Sequence, residues 1–357
     1  MKKSKHSLGL GHFHDRTREH IVDPSHAEIG VHLLPSQLYV VTCLENPLRW
    51  RSRYANYHHF AKHVEDAGAT LITVESAFGN REFEVTEPGN PWHVQVRVHD
   101  ELFRKENLQN IGAQRLPLDA KYVAFIDADV IFTRPDWVQE TLHLLQHYAV
   151  IQMFSDFCDV GPRHKILGCS PSFMYNFLNE KEDFCGGFYD DGRKKTNKWS
   201  GAPGLAWAYR VRALDLLGGL LDRCILGGGD SHMAFGLVGR EDLGKFHLEY
   251  VNGSTAYRAY TTNWQQNAAR LKKNIGMMEG TLLHKWHGPK ALRGYATRPK
   301  ILKKYHYDPF MDILEDHQGI IFLKGNKIGL RDEIRAYFRR RDEDSKEHTP
   351  CGSTKKK

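Results

Sequence analysis

The sequence predicts an α/β protein built on an open sheet with helices on its faces. Three observations carry that expectation. Short β-branched apolar runs alternate with helix-compatible stretches along the chain. The first such runs follow one another with the spacing of parallel strand–helix–strand units. The most apolar of them runs straight into two carboxylates, as strands that end at a ligand crevice do.

Taken in order, Gln37–Cys43 reads as a buried strand bounded by turn residues. Residues 51–66 have helical composition and stop before Gly68, and Ala69–Glu75 is a second strand. Trp92–Val98 alternates apolar and polar residues, which suits a strand near the sheet edge. Residues 101–113 carry Leu102, Leu108 and Ile111 on a helical stripe, and Tyr122–Ile126 is the apolar strand before Asp127-Ala128-Asp129. Pro135 suits a helix first turn, with Val138, Leu142, Leu145 and Tyr148 at helical spacing behind it. Ala149–Phe154 is another strand. From Ser155 to Ser200 the chain is rich in Gly, Pro, Asn and charge and reads as irregular. A strand over Leu205–Arg210 and a helix through Leu217 restore regularity, and the part after Leu302 is helical in places. The run Arg339–Asp344 reads as a solvated helix end.

With 357 residues, 41% hydrophobic and 26% charged, the chain is long enough to bury a sizeable core. The net charge of +7 suits a phosphate-bearing ligand and plain solubility equally, and no basic stripe with interleaved aromatics marks a nucleic-acid surface. Six cysteines at irregular intervals, with no C-x-x-C pair, exclude a zinc-ribbon or redox motif and read as reduced thiols of a cytoplasmic protein. No run approaches the roughly 20 apolar residues of a membrane helix, so no membrane partner is expected.

Two acids as close as Asp127 and Asp129 repel each other, and a hard cation such as Mn²⁺ or Mg²⁺ would offset their charge and that of a diphosphate. The bland alternative is a turn cap and a solvated neighbour. Asp230, after Gly227-Gly228-Gly229 and at the start of a helix over 231–237, could take a proton from an acceptor or simply cap the helix. His284 and His287 follow the apolar pair Leu282-Leu283. On a strand they would point to opposite faces, so one of them is expected to ligate. Arg53 and Lys105 could pair with phosphates, and Thr42 and Asn46 stand at the end of the first strand.

These islands, from Phe103-Arg-Lys-Glu-Asn-Leu-Gln-Asn110-Ile-Gly112 through Tyr122–Asp129, Gly201-Ala-Pro-Gly204, Leu217–Asp222 and Leu226–Asp230, resemble the β-1,4-galactosyltransferases and related inverting GT-A glycosyltransferases. The resemblance covers about residues 38–288. It implies a GT-A fold, an open mixed sheet flanked by helices in a single large domain over 36–290. Around this would lie a basic leader (1–35), a C-terminal helical extension (291–345) and a disordered basic tail (346–357). It further implies Mn²⁺ or Mg²⁺ on Asp127, Asp129 and His284, a nucleotide-sugar donor on Thr42, Asn46, Arg53, Lys105, Asp127 and Gly204, and Asp230 as the base. Gly229 departs from the pattern, which has Glu there. The expected reaction is hexosyl or pentosyl transfer to an acceptor hydroxyl, with a cytoplasmic glycan, a protein or a hydroxymethylated DNA base as acceptor. A sugar- or nucleic-acid-binding protein on the same scaffold is the alternative, and a nucleotidyltransferase ranks below it because Thr42–Pro47 has no glycine.

Overall fold

The first strand, β1 (Leu38–Glu45), leads through α1 (Arg51–Asp66) to β2 (Thr70–Phe78) and then β3 (His93–Val98). Helix α2 (Lys105–Ala113) precedes β4 (Tyr122–Ile126), and a three-residue break separates β4 from β5 (Val130–Phe132). Then come α3 (Trp137–Leu144), β6 (Val150–Gln152), β7 (Asp156–Val160), β8 (Ile166–Pro171), α4 (Phe173–Leu178), β9 (Ala206–Arg210), α5 (Val211–Leu217) and α6 (Gly229–Val238). The chain continues through α7 (Thr255–Ala269), β10 (Ile275–Met277), β11 (Thr281–His284), α8 (Arg298–Lys304), the hairpin β12 (Ile313–Glu315) and β13 (Ile321–Leu323), and α9 (Ile328–Arg339). The computed structural model describes residues 37–179, 201–240, 254–295 and 297–346. The expected leader, most of the tail and the second half of the 155–200 segment lie outside those residues.

This is the expected open, mixed α/β sheet flanked by helices. Its seven strands run in the order β10-β6-β9-β4-β1-β2-β3. Strand β1 is parallel to both β2 and β4, and β9 is the antiparallel member between β4 and β6. Strands β1 and β4 are buried on both faces, and their near-continuous apolar sequences are what parallel central strands require. Because successive strands leave β1 in opposite directions, a crevice opens beyond the carboxyl ends of β1 and β4. A second sheet, β5-β11-β7-β8, adjoins that crevice.

Helix α2 lies close against the sheet because Gly112 has no side chain. A Cβ there would stand 2.6 Å from Val41 Cγ1 and 2.9 Å from Val74 Cγ2. Asn110 exchanges both amide hydrogen bonds with the backbone of Leu220, at 2.9 and 2.8 Å. The Asn-Ile-Gly series thus fastens α2 to its neighbours.

Three sequence expectations are corrected. The segment after Ser155 is regular as far as Leu178: β7 and β8 form a hairpin and α4 follows, capped by Ser172, whose Oγ accepts from Tyr175 N at 3.0 Å. Strand β8 is an exposed edge, so its residues lack the alternation that marks a half-buried strand. Cys158 and Cys169 pair directly across this hairpin in a disulfide, so the thiols are not all reduced, and the cysteines no longer argue for a reducing compartment. The charge run 339–344 is solvated only in part: Arg339, Arg340, Asp342 and Asp344 are exposed, but Arg341 and Glu343 are 4% and 1% exposed and pair with each other, and Glu343 also pairs with Arg53. No helix among the described residues is long and apolar enough to cross a membrane.

Candidate active site and metal centre

Asp127-Ala128-Asp129 spans the passage from the central sheet to the second one, between β4 and β5. Its two carboxylates therefore go to different neighbours. The register of β11 against β5 sets His284 opposite Val130, next to Asp129, and the register of β11 against β7 sets His284 beside Asp159. Backbone pairing alone brings one histidine and two acids together.

His284 Nδ1 lies 2.7 Å from Asp159 Oδ1, which turns Nε2 toward Asp129 Oδ2 at 3.9 Å. His287 Nε2 lies 3.0 Å from His284 Nε2 and 3.6 Å from Asp129 Oδ2. The expectation that the two histidines point to opposite faces is corrected: β11 ends at His284, so the alternation of a strand does not reach residue 287. Burial pushes the His287 imidazole well below its ordinary range, and Arg293, His284, Arg341 and Arg53 push it the same way. The ring is neutral at physiological pH, the state a metal ligand needs. Burial alone would raise the Asp159 carboxyl, but the hydrogen bond and charge of His284, with Lys290 and Arg293, hold it well below the ordinary range.

One ligand atom from each of Asp129, His284 and His287 falls within 4.8 Å of the others. Asp129 Oδ1 is buried and has no hydrogen-bond partner among the described residues. A buried carboxylate oxygen left unpartnered is costly, and a cation would satisfy it. Two imidazoles and a carboxylate suit Mn²⁺. The residues present fit the ion.

Asp127 belongs to a different group. Its Oδ1 lies 3.2 Å from Lys105 Nζ, and it is absent from the cluster around the histidines. Burial raises the Asp127 carboxyl, Lys105 opposes that rise, and Asp129 and Asp230 add to it. Lys105 is in turn lowered by burial, but Asp127, Glu106 and Asp230 more than offset this and hold the ammonium above its ordinary range. Asp230 stands in the first turn of α6, with Oδ1 accepting from Ser231 N at 2.8 Å. Its Oδ2 is 2.6 Å from where a Cβ on Gly204 would stand, so Gly204 is the space that the Asp230 carboxylate occupies.

The residues expected at the nucleotide are mostly engaged in the fold. Thr42 Oγ1 donates to Ile126 O at 2.7 Å, tying β1 to the end of β4. Asn46 closes the turn into α1 through Trp50 N and O, both at 2.9 Å. Arg53 pairs with Glu343 and donates to Glu45 O at 2.8 Å. These contacts hold the three side chains in the fold, whereas Lys105, Asp127 and Gly204 gather around Asp230.

Four residues at the site were not singled out from the sequence: Asp159, Glu106, Arg298 and Arg341. Arg298 lies over the rings of Phe103 and Tyr295, with its Nη2 2.6 Å from where a Cβ on Gly227 would stand. Arg341 Nη2 lies 3.3 Å from His287 Nδ1. The signal available for them was weak, since each acts through a partner far away in sequence. Only Gly227 and Gly229 hinted that something must approach closely.

No family model matches the chain, and no curated protein matches it. Among solved structures, the catalytic domain of Drosophila β-1,4-galactosyltransferase 7 with xylobiose is 14% identical, with 59% of this chain and 63% of that chain covered and a TM-score of 0.29. Glucosyl-3-phosphoglycerate synthase from Mycobacterium tuberculosis, with Mn²⁺, UDP and phosphoglyceric acid, is 12% identical over 70% of each chain, with a TM-score of 0.32. Staphylococcus aureus TarS 1–349 is 6% identical over 66% of this chain and 71% of that chain, also at 0.32. The chain thus spans less than two thirds of the galactosyltransferase structure, and likeness at this level specifies no reaction.

Proposed function

We propose that this protein is a divalent-metal-dependent glycosyltransferase that moves a sugar from a nucleotide-sugar donor to an acceptor hydroxyl with inversion. One observation carries the reading. The unpartnered Asp129 Oδ1 with His284 and His287, and the Lys105–Asp127–Asp230 group, flank the same three-residue passage at the crevice. Asp129, His284 and His287 would hold the ion, with Asp127 facing the same crevice. Held there, Mn²⁺ or Mg²⁺ would draw off negative charge from a departing diphosphate. Lys105 adds a fixed positive charge on the same side, in a setting where burial strengthens it. Asp230, backed by the glycine space at 204, accepts the proton of the attacking hydroxyl. Attack from the Asp230 side, opposite the leaving group, gives inversion.

The acceptor classes are a small glycan, a protein hydroxyl and a hydroxymethylated DNA base, in the cytoplasm. The donor sugar is a hexose or a pentose. The test is a melting scan with a panel of nucleotide sugars, with and without Mn²⁺, followed by mass spectrometry of each acceptor class. A coupled rise in melting temperature that needs both metal and nucleotide is expected, together with a mass gain of one sugar. Independent or absent shifts, with neither transfer nor donor hydrolysis, would remove the reading.

A further inference from the structure

Three glycines around the crevice each leave a space that a charged group from elsewhere fills: Asp230 at Gly204, Arg298 at Gly227, and Glu106 at Gly229. The third is the least expected. A Cβ on Gly229 would stand 3.2 Å from Glu106 Cδ and 3.3 Å from its Oε1, so the carboxyl lies against the first residue of α6, one position before Asp230. Glu106 is 2% exposed. Its nearest cation, Lys105 Nζ at 3.8 Å, sits closer to Asp127, at 3.2 Å. A buried acid without a counter-ion of its own costs stability, and an apolar side chain would fill the space better if packing were its only purpose.

On the reading of Asp230 as the acceptor's base, we infer that Glu106 is a positioning residue for it. Its carboxyl braces the turn that presents Asp230, and it sets the charge against which Asp230 takes its proton. In the transfer, the acceptor O–H bond breaks and its proton goes to Asp230. The oxygen's electron pair forms the new bond to the anomeric carbon, and the bond from that carbon to the diphosphate oxygen breaks, leaving the nucleoside diphosphate.

The electrostatics agree. Burial raises the Glu106 carboxyl to about 7, against the pull of Lys105 and with Asp230 and Asp127 adding to the rise. Cys43, Tyr209 and Cys224 also feel its charge from β1, β9 and the turn before α6.

The test compares wild type with Glu106→Gln and Glu106→Asp by two readouts. The first is kcat and KM between pH 5.5 and 8.5 with Mn²⁺ and the donor found active. The second, independent of turnover, is amide hydrogen exchange at Ser231, whose N–H donates to Asp230. In Glu106→Gln, kcat is expected to fall about 10- to 100-fold with donor KM within twofold. The neutral limb of the profile should flatten and Ser231 exchange should quicken about tenfold, while Mn²⁺ affinity by calorimetry stays put. Glu106→Asp, which keeps the charge on a shorter arm, should recover part of kcat. Unchanged kcat, pH profile and Ser231 exchange in either folded variant would overturn the inference. If wild type turns over no donor yet Ser231 exchange responds to Glu106→Gln, the bracing role stands and the transferase reading falls.

Discussion

Asp129 and Asp127 leave the same tripeptide and enter two unlike surroundings. On one side, the His287 imidazole, kept neutral by burial, and the His284 ring flank a carboxylate oxygen with nothing to bind among the described residues. On the other, an ammonium held in its charged form neutralises a carboxylate, with two further acids nearby. The first arrangement suits a cation. The second already holds its cation and can handle protons. Charge count alone, two acids at i and i+2, does not distinguish them; the change of sheet between β4 and β5 does.

That division can be broken from either side, and the largest effect is expected at Asp129. Asp129→Ala should lower Mn²⁺ affinity more than 100-fold by calorimetry and abolish turnover. Asp230→Asn should leave Mn²⁺ affinity within about threefold but cut kcat by about 10²- to 10⁴-fold, measured with saturating metal. Similar metal affinities in the two variants would erase the division. Asp159→Asn sharpens it: the replacement removes the carboxylate that orients His284, and Mn²⁺ affinity should fall about 10- to 100-fold with the fold intact by circular dichroism.

Smaller effects come from the proton-handling side. Gly204→Ala would place a Cβ against Asp230 Oδ2, so kcat should drop by about tenfold while metal affinity and melting temperature barely move. Glu106 also makes a pH prediction. Its folded-state value of about 7 lies above the ordinary 4.5, so the unfolded chain loses this proton first as pH rises. Its contribution is neutral below about pH 4.5 and becomes increasingly unfavourable up to about 7. Glu106→Gln should therefore be more stable than wild type at pH 8, by about 1–3 kcal/mol in urea titrations, and equal to it near pH 4.

Much of the sheet was readable because its central strands are continuous apolar runs with turn residues at their ends, as in Tyr122–Ile126. Asp129 and His284 were readable because one follows such a strand and the other ends one. What escaped has a common physical cause. The exposed hairpin edge at Ile166–Pro171 lacks the alternation that burial imposes. His287 lies three residues past the end of the strand whose period was extended to it. Glu106, Arg298 and Arg341 reach the site through tertiary contacts, and a residue's neighbours in space leave no periodic trace in its neighbours along the chain. For Thr42, Asn46 and Arg53 the sequence carries two readings at once, because a polar group at a strand end can as well close a turn as meet a ligand.

The segment 341–345 closes over the histidine side. Asp344 accepts from Arg51 N and Ser52 N at 3.0 and 2.8 Å, capping α1 across 293 and 292 residues of sequence. Ser345 O receives Trp286 Nε1 at 2.6 Å, and Gly288 lies against the backbone of Arg341–Glu343. A ribosome that has emitted both histidines has not yet made the piece that braces them. The histidine pair thus takes its backing from a segment 54 residues further along the chain, so replacing residues 341–345 should loosen His287 and Trp286 while the seven-stranded sheet, which includes none of them, stays in place.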